Sequence, residues 1–237
     1  IYTSAFTPPT ALVTPTSGGS SAASIKILVD FTNAAMFDQS GKTTVLTAGD
    51  IQLDTSVKKF GTASAEFDES GDYLGVAQSS FVPIGGGDFT IECFAYFLAV
   101  ATNGQGLFQL SNGTLNSQDG RGPAIGTYGG TGKWHIYYGA GENQTNTVGS
   151  AIDAPSQNTW YHVAFVRTSG VIKIFIDGTQ IGSNISYTGN YTDNMFTIGG
   201  WYSTGYLLNG YIDEFRITQK ARYTSNFTAP TKAFPNL

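Results

Sequence analysis

The sequence predicts an all-β fold that is built from many short strands, as in a sandwich or a barrel. Short apolar runs recur along the chain between residues that favour turns, chiefly Gly, Asn, Asp and Ser. No stretch keeps a helical period over three turns. A chain of 237 residues can bury roughly 70% of the surface that its unfolded form would expose, so one large domain can be stable without cross-links.

The first 24 residues are predicted to lie outside this domain. From Pro8 to Ser24 the sequence has three prolines, two consecutive glycines and many Ser and Thr residues, which is the composition of a linker. The folded domain is therefore expected to cover residues 25–219, and residues 220–237 are expected to form a C-terminal arm.

The predicted strands begin at Ile25. The clearest pair is a hairpin whose strands are joined by Ser169-Gly170, and it is followed by Asp177-Gly178, a dipeptide that tolerates the positive φ angles of a tight turn. In chain order the predicted strands are Ile25–Phe31, Ala63–Phe67, Tyr73–Val76, Phe89–Phe97, Leu107–Leu110, Trp134–Tyr138, Tyr161–Arg167, Val171–Ile176, Met195–Ile198 and Tyr211–Thr218.

The two ends of the chain carry nearly the same nine residues. Residues 2–10 read YTSAFTPPT and residues 223–231 read YTSNFTAPT, which gives seven identical positions at an offset of 221 residues. The match predicts one motif present twice, so that the tail of one repeat precedes a complete second repeat. The alternative is that two similar loops arose by chance.

Each copy of the motif contains two large aromatic residues in a segment that is interrupted by proline. Such a segment cannot form a helix and has too little apolar surface to fold alone, so its aromatic side chains are expected to pack against a folded domain. Tyr223 and Phe227 are expected to pack on their own domain, and Tyr2 and Phe6 on a preceding or neighbouring copy.

The composition excludes several classes of partner. Charged residues make up 12% of the chain, the net charge is −5, and the 12 Lys and Arg residues form no basic cluster, which argues against binding to nucleic acid or anionic lipid. No apolar run approaches the roughly 20 residues that a membrane helix requires. Cys93 is the sole cysteine and lies in the apolar run Phe89–Phe97, so it is predicted to be a buried, inert thiol.

A series of short motifs resembles one known family in order and spacing. From residue 25 to about residue 218 the chain is similar to the laminin-G-like branch of the concanavalin A-like lectin/glucanase superfamily. The motifs are ILVDF at 27–31, KFGTAS at 59–64, FDESGDYL at 67–74, FTIECF at 89–94, WYHV at 160–163, IDG at 176–178 and GYIDEFRI at 210–217.

The resemblance implies a two-sheet antiparallel β-sandwich of the jelly-roll type. The closing sequence ARYTSNFTAPT at 221–231 is similar to the ending that is common in copies of this domain from bacteriophage tail and other virion proteins. Because this superfamily contains lectins, glucan hydrolases and spacer modules, the residues of a site must decide the function.

The sequence lacks the residues that a glucan hydrolase of this superfamily would need. The Glu-x-Asp-x-Glu pattern, which holds an acid and a nucleophile on one strand, is absent. Asp213 and Glu214 are neighbours in sequence and are expected to lie on opposite faces of a strand. His162 is expected to be a packing residue, and the chain is predicted not to be an enzyme.

Asp213 is the strongest candidate for a metal ligand. It is expected to share strand parity with Tyr211, Phe215 and Ile217 and so to face an otherwise apolar side, where a carboxylate needs a partner. In related glucanases and lectins the matching aspartate helps to hold a structural calcium with main-chain carbonyls near the first strand, here around Asp30 to Asn33. The resemblance thus implies a calcium site at Asp213 and Asp30; the alternative is a carboxylate that accepts only backbone N–H bonds.

Several aromatic residues near glycine-rich turns are candidates for contact with a carbohydrate or a partner protein. The alternative is that about half of them belong to the core, because Trp134 to Tyr138 also has the pattern of a strand. The candidates are Trp134, Tyr138, Trp201, Tyr202 and Tyr206.

The predicted function is that of a non-enzymatic structural or adhesive protein of a bacteriophage virion, in a fibre, tail or head appendage. Its expected location is the virion surface, and its expected partners are other virion subunits or neighbouring repeats. The alternative is a lectin-like carbohydrate-binding module of a phage or bacterial surface protein, with cell-surface glycans as ligands. A lectin should show an exposed aromatic groove with convergent Asn and Asp side chains.

Overall fold

A computed structural model describes most of the domain and the arm. The described residues are 25–31, 36–76, 84–100, 104–111, 122–139, 145–147, 153–193, 195–201 and 205–235. Tyr2, Phe6 and Tyr202 lie outside them. The fifteen strands are β1 (Ile25–Val29), β2 (Val45–Ala48), β3 (Gln52–Asp54), β4 (Ser64–Asp68), β5 (Tyr73–Val76), β6 (Phe89–Phe97), β7 (Gly104–Ser111), β8 (Ala124–Tyr128), β9 (Trp134–Tyr137), β10 (Thr145–Thr147), β11 (Trp160–Thr168), β12 (Val171–Ile176), β13 (Thr179–Ser186), β14 (Met195–Ile198) and β15 (Asn209–Thr218).

The strands form two antiparallel sheets, which confirms the predicted all-β sandwich. Sheet A has eight strands in the order β13-β12-β11-β6-β15-β4-β3, with β1 also paired to β15. Sheet B has seven strands in the order β10-β9-β8-β7-β14-β5-β2. Within the described residues there is no helix that is long and apolar enough to cross a membrane.

The core lies between the two sheets and is made by alternate residues of their central strands. In β6 the core residues are Phe89, Ile91, Cys93, Ala95 and Phe97. Alternation places the remaining β6 side chains on the outer face of sheet A. Cys93 is fully buried, and burial raises the pKa of its thiol, as expected for an inert core cysteine.

The predicted hairpin is present and its turns use the expected residues. Strands β11 and β12 pair from Val163↔Ile176 to Thr168↔Val171. Ser169 and Gly170 join them with φ angles of 49° and 75°, and Asp177 and Gly178 follow with 49° and 79°. Positive φ angles at both central residues match the right-handed twist of the flanking strands.

The C-terminal arm covers part of the outer face of sheet A. Tyr223 and Phe227 pack against a small apolar cluster on β11 and β12 that contains Phe175. Further along the arm, Phe234 is 3% exposed and packs with Leu28 and Phe94. The arm therefore closes a second, smaller apolar layer on the side of sheet A that faces away from the core.

Candidate functional site

A row of five side chains crosses the outer face of sheet A beside the region that the arm covers. Strand register places Trp160 opposite Tyr96, Tyr96 opposite Tyr211, Tyr211 opposite Glu66, and Glu66 opposite Gln52. The five residues lie on five adjacent strands, so the row runs perpendicular to them. We refer to Trp160, Tyr96, Tyr211, Glu66 and Gln52 as the aromatic row.

The rings of the aromatic row are in mutual contact. The ring centroids of Tyr96 and Trp160 are 5.3 Å apart, and those of Tyr96 and Tyr211 are 5.6 Å apart. Trp160 and Tyr96 are half-buried, whereas Gln52 is exposed. Tyr211 is 5% exposed, so contacts of this kind hold the three rings in place while leaving Trp160 and Tyr96 partly open to solvent.

The hydroxyl of Tyr211 connects the rings to the acidic end of the row. It donates a hydrogen bond to Glu66 Oε1 at 3.4 Å. Burial first, and then the charges of Glu66 and Asp54, raise the pKa of Tyr211 to about 12. Tyr211 therefore stays neutral at physiological pH and keeps its hydroxyl proton for the hydrogen bond to Glu66.

A second row of residues lies beside the aromatic row. Each of its members is two positions away in sequence from one member of the aromatic row, and all of them except Leu98 have polar side chains. Asn209 pairs with Asp68 on β4, and the N–H of Leu98 donates to the carbonyl of Asn209 at 3.0 Å. Asn158 and Asp50 extend this row at its two ends, and both are exposed. We refer to Asn158, Leu98, Asn209, Asp68 and Asp50 as the polar row.

The two rows end in an acidic cavity of 170 Å³. Asp72 forms its floor, with Oδ1 accepting the N–H of Asp50 at 2.9 Å and Oδ2 accepting the N–H of Asp68 at 3.2 Å. Burial raises the pKa of Asp72. The carboxylates of Asp50, Asp68 and Asp72 lie within 4.8 Å of one another. The lining residues are Asp50, Gln52, Glu66, Asp68 and Asp72.

The chemistry of these two rows suits a polyhydroxylated ligand. Aromatic faces can stack on the apolar side of a sugar ring, and carboxylates and amides can accept and donate hydrogen bonds at its edge. A site with an apolar surface and a few convergent polar groups is the usual architecture of a small-molecule site.

A separate set of buried carboxylates lies at a bulge in β15. The pairing with β6 shifts between Asp213↔Phe94 and Arg216↔Glu92, and Glu214 has a φ angle of 55°. The bulge corrects two expectations from sequence parity. Phe215 faces the core while Asp213 does not, and the carboxyl groups of Asp213 and Glu214 interact instead of lying on opposite faces.

In both Asp213 and Glu214, one of the two carboxylate oxygens accepts hydrogen bonds from backbone N–H groups. Asp213 Oδ2 accepts the N–H groups of Lys59 and Phe60, both at 2.9 Å, and Glu214 Oε2 accepts the N–H of Phe234 at 2.6 Å. Among the described residues, Asp213 Oδ1 and Glu214 Oε1 are buried without a hydrogen-bond partner. The backbone N–H bonds of the alternative prediction are thus present, and each group retains an oxygen for another ligand.

The negative charges of Asp213, Glu214 and the neighbouring Asp30 would attract a hard cation. Burial raises the pKa of Asp213 to about 6 and that of Glu214 to about 8, and the neighbouring charge of Asp30 adds to both. Asp30 is itself 3% exposed and accepts a hydrogen bond from Gln39. Asp213 and Glu214 each keep a carboxylate oxygen of the kind that calcium prefers. Among the described residues, however, the group of three carboxylates whose oxygens lie within 4.8 Å of one another is Asp50, Asp68 and Asp72 in the acidic cavity.

If calcium binds at Asp213, as the resemblance implies, it is expected to raise the melting temperature of this protein. At a free concentration of about 100 times the dissociation constant, the stabilisation is about 2.7 kcal/mol, which corresponds to a melting temperature about 5 to 10 °C higher in a domain of this size. Asp213→Asn, which keeps an acceptor for Lys59 and Phe60, should remove the response. The measurement is thermal unfolding with calcium and with chelator.

Asp50→Asn separates the bulge in β15 from the acidic cavity, because the carboxylates of Asp50, Asp68 and Asp72 in that cavity are themselves close enough together to hold a metal ion. This variant should keep the full calcium response. An unchanged melting temperature under chelation, or a response that is lost in Asp50→Asn and kept in Asp213→Asn, would contradict the assignment.

A buried ion network connects sheet A to the arm. Glu92 is 0% exposed; its Oε1 accepts bonds from Arg216 Nε at 3.0 Å and Nη2 at 2.7 Å. Its Oε2 lies 3.1 Å from His162 Nε2 and accepts the hydroxyl of Tyr223 at 2.8 Å. Burial opposes the charge, but the hydrogen bond from His162 and the charge of Arg216 lower the pKa of Glu92 to about 2.

The described aromatic residues that the sequence predicts as ligand contacts lie outside the aromatic row; they are Trp134, Tyr138, Trp201 and Tyr206. Trp134 faces the core and is 2% exposed, so it is not available to a ligand. Tyr138 packs partly on the core, and its carbonyl accepts the hydroxyl of Tyr191. The carbonyl of Tyr206 accepts the N–H groups of Gly106 at 3.0 Å and Trp201 at 3.4 Å.

Trp201 belongs to an aromatic cluster on the outer face of sheet B. Its ring centroid lies 5.2 Å from that of Tyr137 and 6.0 Å from that of His135, and His135 is 4.8 Å from Tyr128. Tyr128 is 49% exposed, but Trp201 is 3% exposed and His135 is 5% exposed. Burial lowers the pKa of His135 to about 4. This cluster is mostly closed to solvent.

The comparisons with known proteins agree with the fold. A family model described as the concanavalin A-like lectin/glucanases superfamily matches residues 68–225. No curated protein matches the sequence.

Three solved structures illustrate the structural likeness. Domain 4 of AbnA, a GH43 extracellular arabinanase from Geobacillus stearothermophilus in complex with arabinotriose, has 18% identity and a TM-score of 0.62, over 84% of this chain and 93% of that chain. The binding domain of Paraclostridial Mosquitocidal Protein 1 has 17% identity and a TM-score of 0.62, over 85% and 50%. The botulinum neurotoxin serotype D ligand binding domain in complex with N-acetylneuraminic acid has 16% identity and a TM-score of 0.59, over 86% and 49%. This chain thus spans about half the length of the chains in the latter two structures.

Proposed function

Because the chain belongs to the concanavalin A-like lectin/glucanases superfamily, we propose that it is a non-enzymatic carbohydrate-binding module whose glycan contact is the aromatic row. One observation supports this proposal. Strand register places Trp160, Tyr96 and Tyr211 next to one another on a partly open sheet face, and amide and carboxylate side chains lie beside them. This is the arrangement that distinguishes a lectin from a purely structural unit.

The dimensions of the row favour an oligosaccharide over a single sugar. Neighbouring strands lie about 4.8 Å apart, so five adjacent strands give a contact about 19 Å long. Stacking on Trp160 and Tyr96 would hold the apolar faces of the sugar rings. Gln52, Glu66 and the polar row would then accept and donate hydrogen bonds to the hydroxyl groups.

The charge of the site favours a neutral glycan. Glu66, Asp68 and Asp50 line the cavity at the end of the row, and an anionic sugar there would meet like charges with no cationic side chain among the lining residues. Two of the structural relatives were solved with a neutral arabinotriose and with N-acetylneuraminic acid. The acidic cavity therefore favours a neutral ligand of the first kind over an acidic sugar of the second kind.

A binding screen by isothermal titration calorimetry tests this function. The probes are arabinotriose, oligosaccharides of laminarin and cellulose, N-acetylneuraminic acid, and bacterial surface polysaccharide. We expect saturable binding of at least one neutral glycan and no binding of the acidic sugar. Failure of every neutral glycan to bind would contradict the proposal.

The protein is expected to release no reducing ends from laminarin, other β-glucans or bacterial surface polysaccharide. Asp72 is the carboxyl group of the cavity whose pKa is raised, but both of its oxygens accept backbone N–H bonds. It therefore lacks the exposed proton that a general acid must deliver. A reducing-sugar assay checks this, and turnover that a single carboxylate substitution abolishes would refute it.

We further propose that the module acts on the surface of a bacteriophage virion, as part of a fibre, tail or head appendage. The similarity of the arm sequence to endings found in phage virion proteins supports this setting. Labelling of intact virions with an antibody raised against this chain is the test. Signal confined to infected-cell lysate, with none on purified particles, would contradict it.

A second candidate function, a structural unit in an array of repeats, is favoured by the arm. The arm buries part of the outer face of sheet A with its own aromatic residues, and its sequence recurs at residues 2–10. A structural unit without a ligand should show no heat of binding in the glycan screen, whereas a glycan-binding module should.

A further inference from the structure

The arm is held on sheet A by a pair of stacked aromatic rings. The ring centroids of Tyr223 and Phe227 are 3.6 Å apart with an interplanar angle of 5°. The pair packs on an apolar cluster that contains Ala164, Val166 and Phe175. The outer face of sheet A therefore has a receptor surface for two aromatic side chains at a spacing of four residues.

Polar contacts fix the position of this pair. The hydroxyl of Tyr223 donates to Glu92 Oε2 at 2.8 Å, and the N–H of Phe227 donates to the carbonyl of Gly178 at 2.9 Å. Gly178 has a φ angle of 79°, and a Cβ atom at this position would lie 2.0 Å from the carbonyl oxygen of Phe227. The surface thus recognises a tyrosine, a phenylalanine and the main chain that joins them.

Residues 2–10 contain the tyrosine, the phenylalanine and the four-residue spacing that this surface recognises. Of the nine positions, 226 and 229 alone differ, with Asn226 replaced by alanine and Ala229 by proline. Asn226 is exposed, and its Oδ1 accepts the N–H of Gln180 at 2.9 Å. The contact of Lys173 Nζ is with the main-chain carbonyl of Thr224, at 2.6 Å, so it does not depend on the side chain at that position.

We propose that residues 2–10 are a second ligand for this surface and dock on the outer face of sheet A of another copy of this domain. Their two aromatic residues take the places of Tyr223 and Phe227, and the tyrosine hydroxyl donates to the Glu92 of that copy. A copy whose own arm is absent or displaced is the acceptor. The partner is therefore a second domain of this kind, and the proposal is independent of glycan binding.

An arm-exchange variant tests whether the surface accepts the sequence of residues 2–10. Asn226→Ala combined with Ala229→Pro makes residues 223–231 identical to residues 2–10. We expect a melting temperature within about 2 °C of the original, since the double variant removes one exposed hydrogen bond. Tyr223→Ala combined with Phe227→Ala should lower it several times more. An equal loss in the two variants would overturn the proposal.

A peptide experiment tests the docking itself. A fluorescent peptide of residues 1–13 is titrated onto the full chain that carries Tyr2→Ala, Phe6→Ala, Tyr223→Ala and Phe227→Ala, so that neither of its own segments competes. We expect saturable binding, at least about tenfold weaker binding to the original chain, whose tethered arm competes, and no binding of a peptide with both aromatic residues replaced by alanine. Equal binding of the two peptides, or no binding of either, would overturn the proposal.

If the fourfold variant does not fold, the chain with Tyr2→Ala, Phe6→Ala and Phe227→Ala is the acceptor in its place, because it keeps the bond of Tyr223 to Glu92 while its own residues 2–10 no longer compete. The same two peptides then give the same two opposing outcomes. The glycan screen on the original chain reports separately on the aromatic row.

Discussion

Glu92→Ala is expected to lower the melting temperature by about 6 to 20 °C. The substitution removes a carboxylate from a fully buried network and leaves Arg216 without its bidentate partner. Breaking a buried ion pair by removing one member costs about 3 to 5 kcal/mol, and each kcal/mol corresponds to about 2 to 4 °C in a domain of this size. Thermal unfolding followed by circular dichroism checks the value.

The same network predicts an acid transition. The pKa of Glu92 is lowered to about 2 in the folded protein from a usual value of 4.5, so its ionised form favours the folded state above pH 4.5. This contribution is lost as the pH falls from 4.5 toward 2. Glu92→Gln should not show that loss, whereas Glu69→Gln, at a half-buried glutamate outside the network, should retain it. A change of less than 1 °C in Glu92→Ala would contradict the assigned role.

Trp160→Ala is expected to weaken glycan binding about 30-fold. Trp160 is at one end of the aromatic row, and its loss removes a stacking face and loosens the neighbouring Tyr96. Truncation of an anchoring aromatic residue costs about 2 kcal/mol, which is about 30-fold in the dissociation constant. Titration calorimetry with the glycan identified in the screen gives the ratio.

Tyr128→Ala is the matched control for this measurement. Tyr128 is 49% exposed on the outer face of sheet B, so its loss should leave the affinity unchanged if the site is on sheet A. Tyr96→Ala should resemble Trp160→Ala. A dissociation constant that changes in Tyr128→Ala and not in the two sheet A variants would place the site on the other sheet.

Much of the fold was accessible from the sequence because the core strands carry strong local signals. The apolar run at Phe89–Phe97 and the hairpin that contains Ser169-Gly170 became β6 and the β11–β12 pair. Five strands, β2, β3, β8, β10 and β13, are absent from the strands that the sequence predicts. Two of them, β2 and β3, are short strands at the edges of the sheets. Their sequences, VLTA and QLD, are too short and too exposed to give an apolar pattern, and pairing with β5 and β4 makes them strands.

The aromatic row could not be predicted, because it depends on which strands are neighbours. Tyr96, Trp160 and Tyr211 are distant in sequence, and the register of β6, β11 and β15 brings them together. One local signal was available, since Tyr96 and Trp160 each lie on the strand face opposite to the core residues. Trp134 gave a misleading signal, because its position beside a glycine-rich turn resembles that of a ligand contact while its parity points to the core.

The bulge in β15 is the second feature that the sequence did not reveal. In a regular strand, Asp213 and Glu214 would point to opposite sides. The positive φ angle of Glu214 inserts one extra residue, so that both carboxyl groups interact with Asp30. No residue in the sequence GYIDEFRI requires such an insertion, and the bulge follows from how β15 pairs with β6 and β1 at once.

A crystal structure of the full chain with a neutral oligosaccharide from the binding screen tests the central claim most directly. The predicted result is a ligand that lies across β11, β6, β15, β4 and β3, with sugar rings on Trp160 and Tyr96 and hydroxyl groups bonded to Glu66 or Gln52. A ligand that is bound against Tyr128 and Tyr137 on sheet B, or at any place away from the aromatic row, would contradict it.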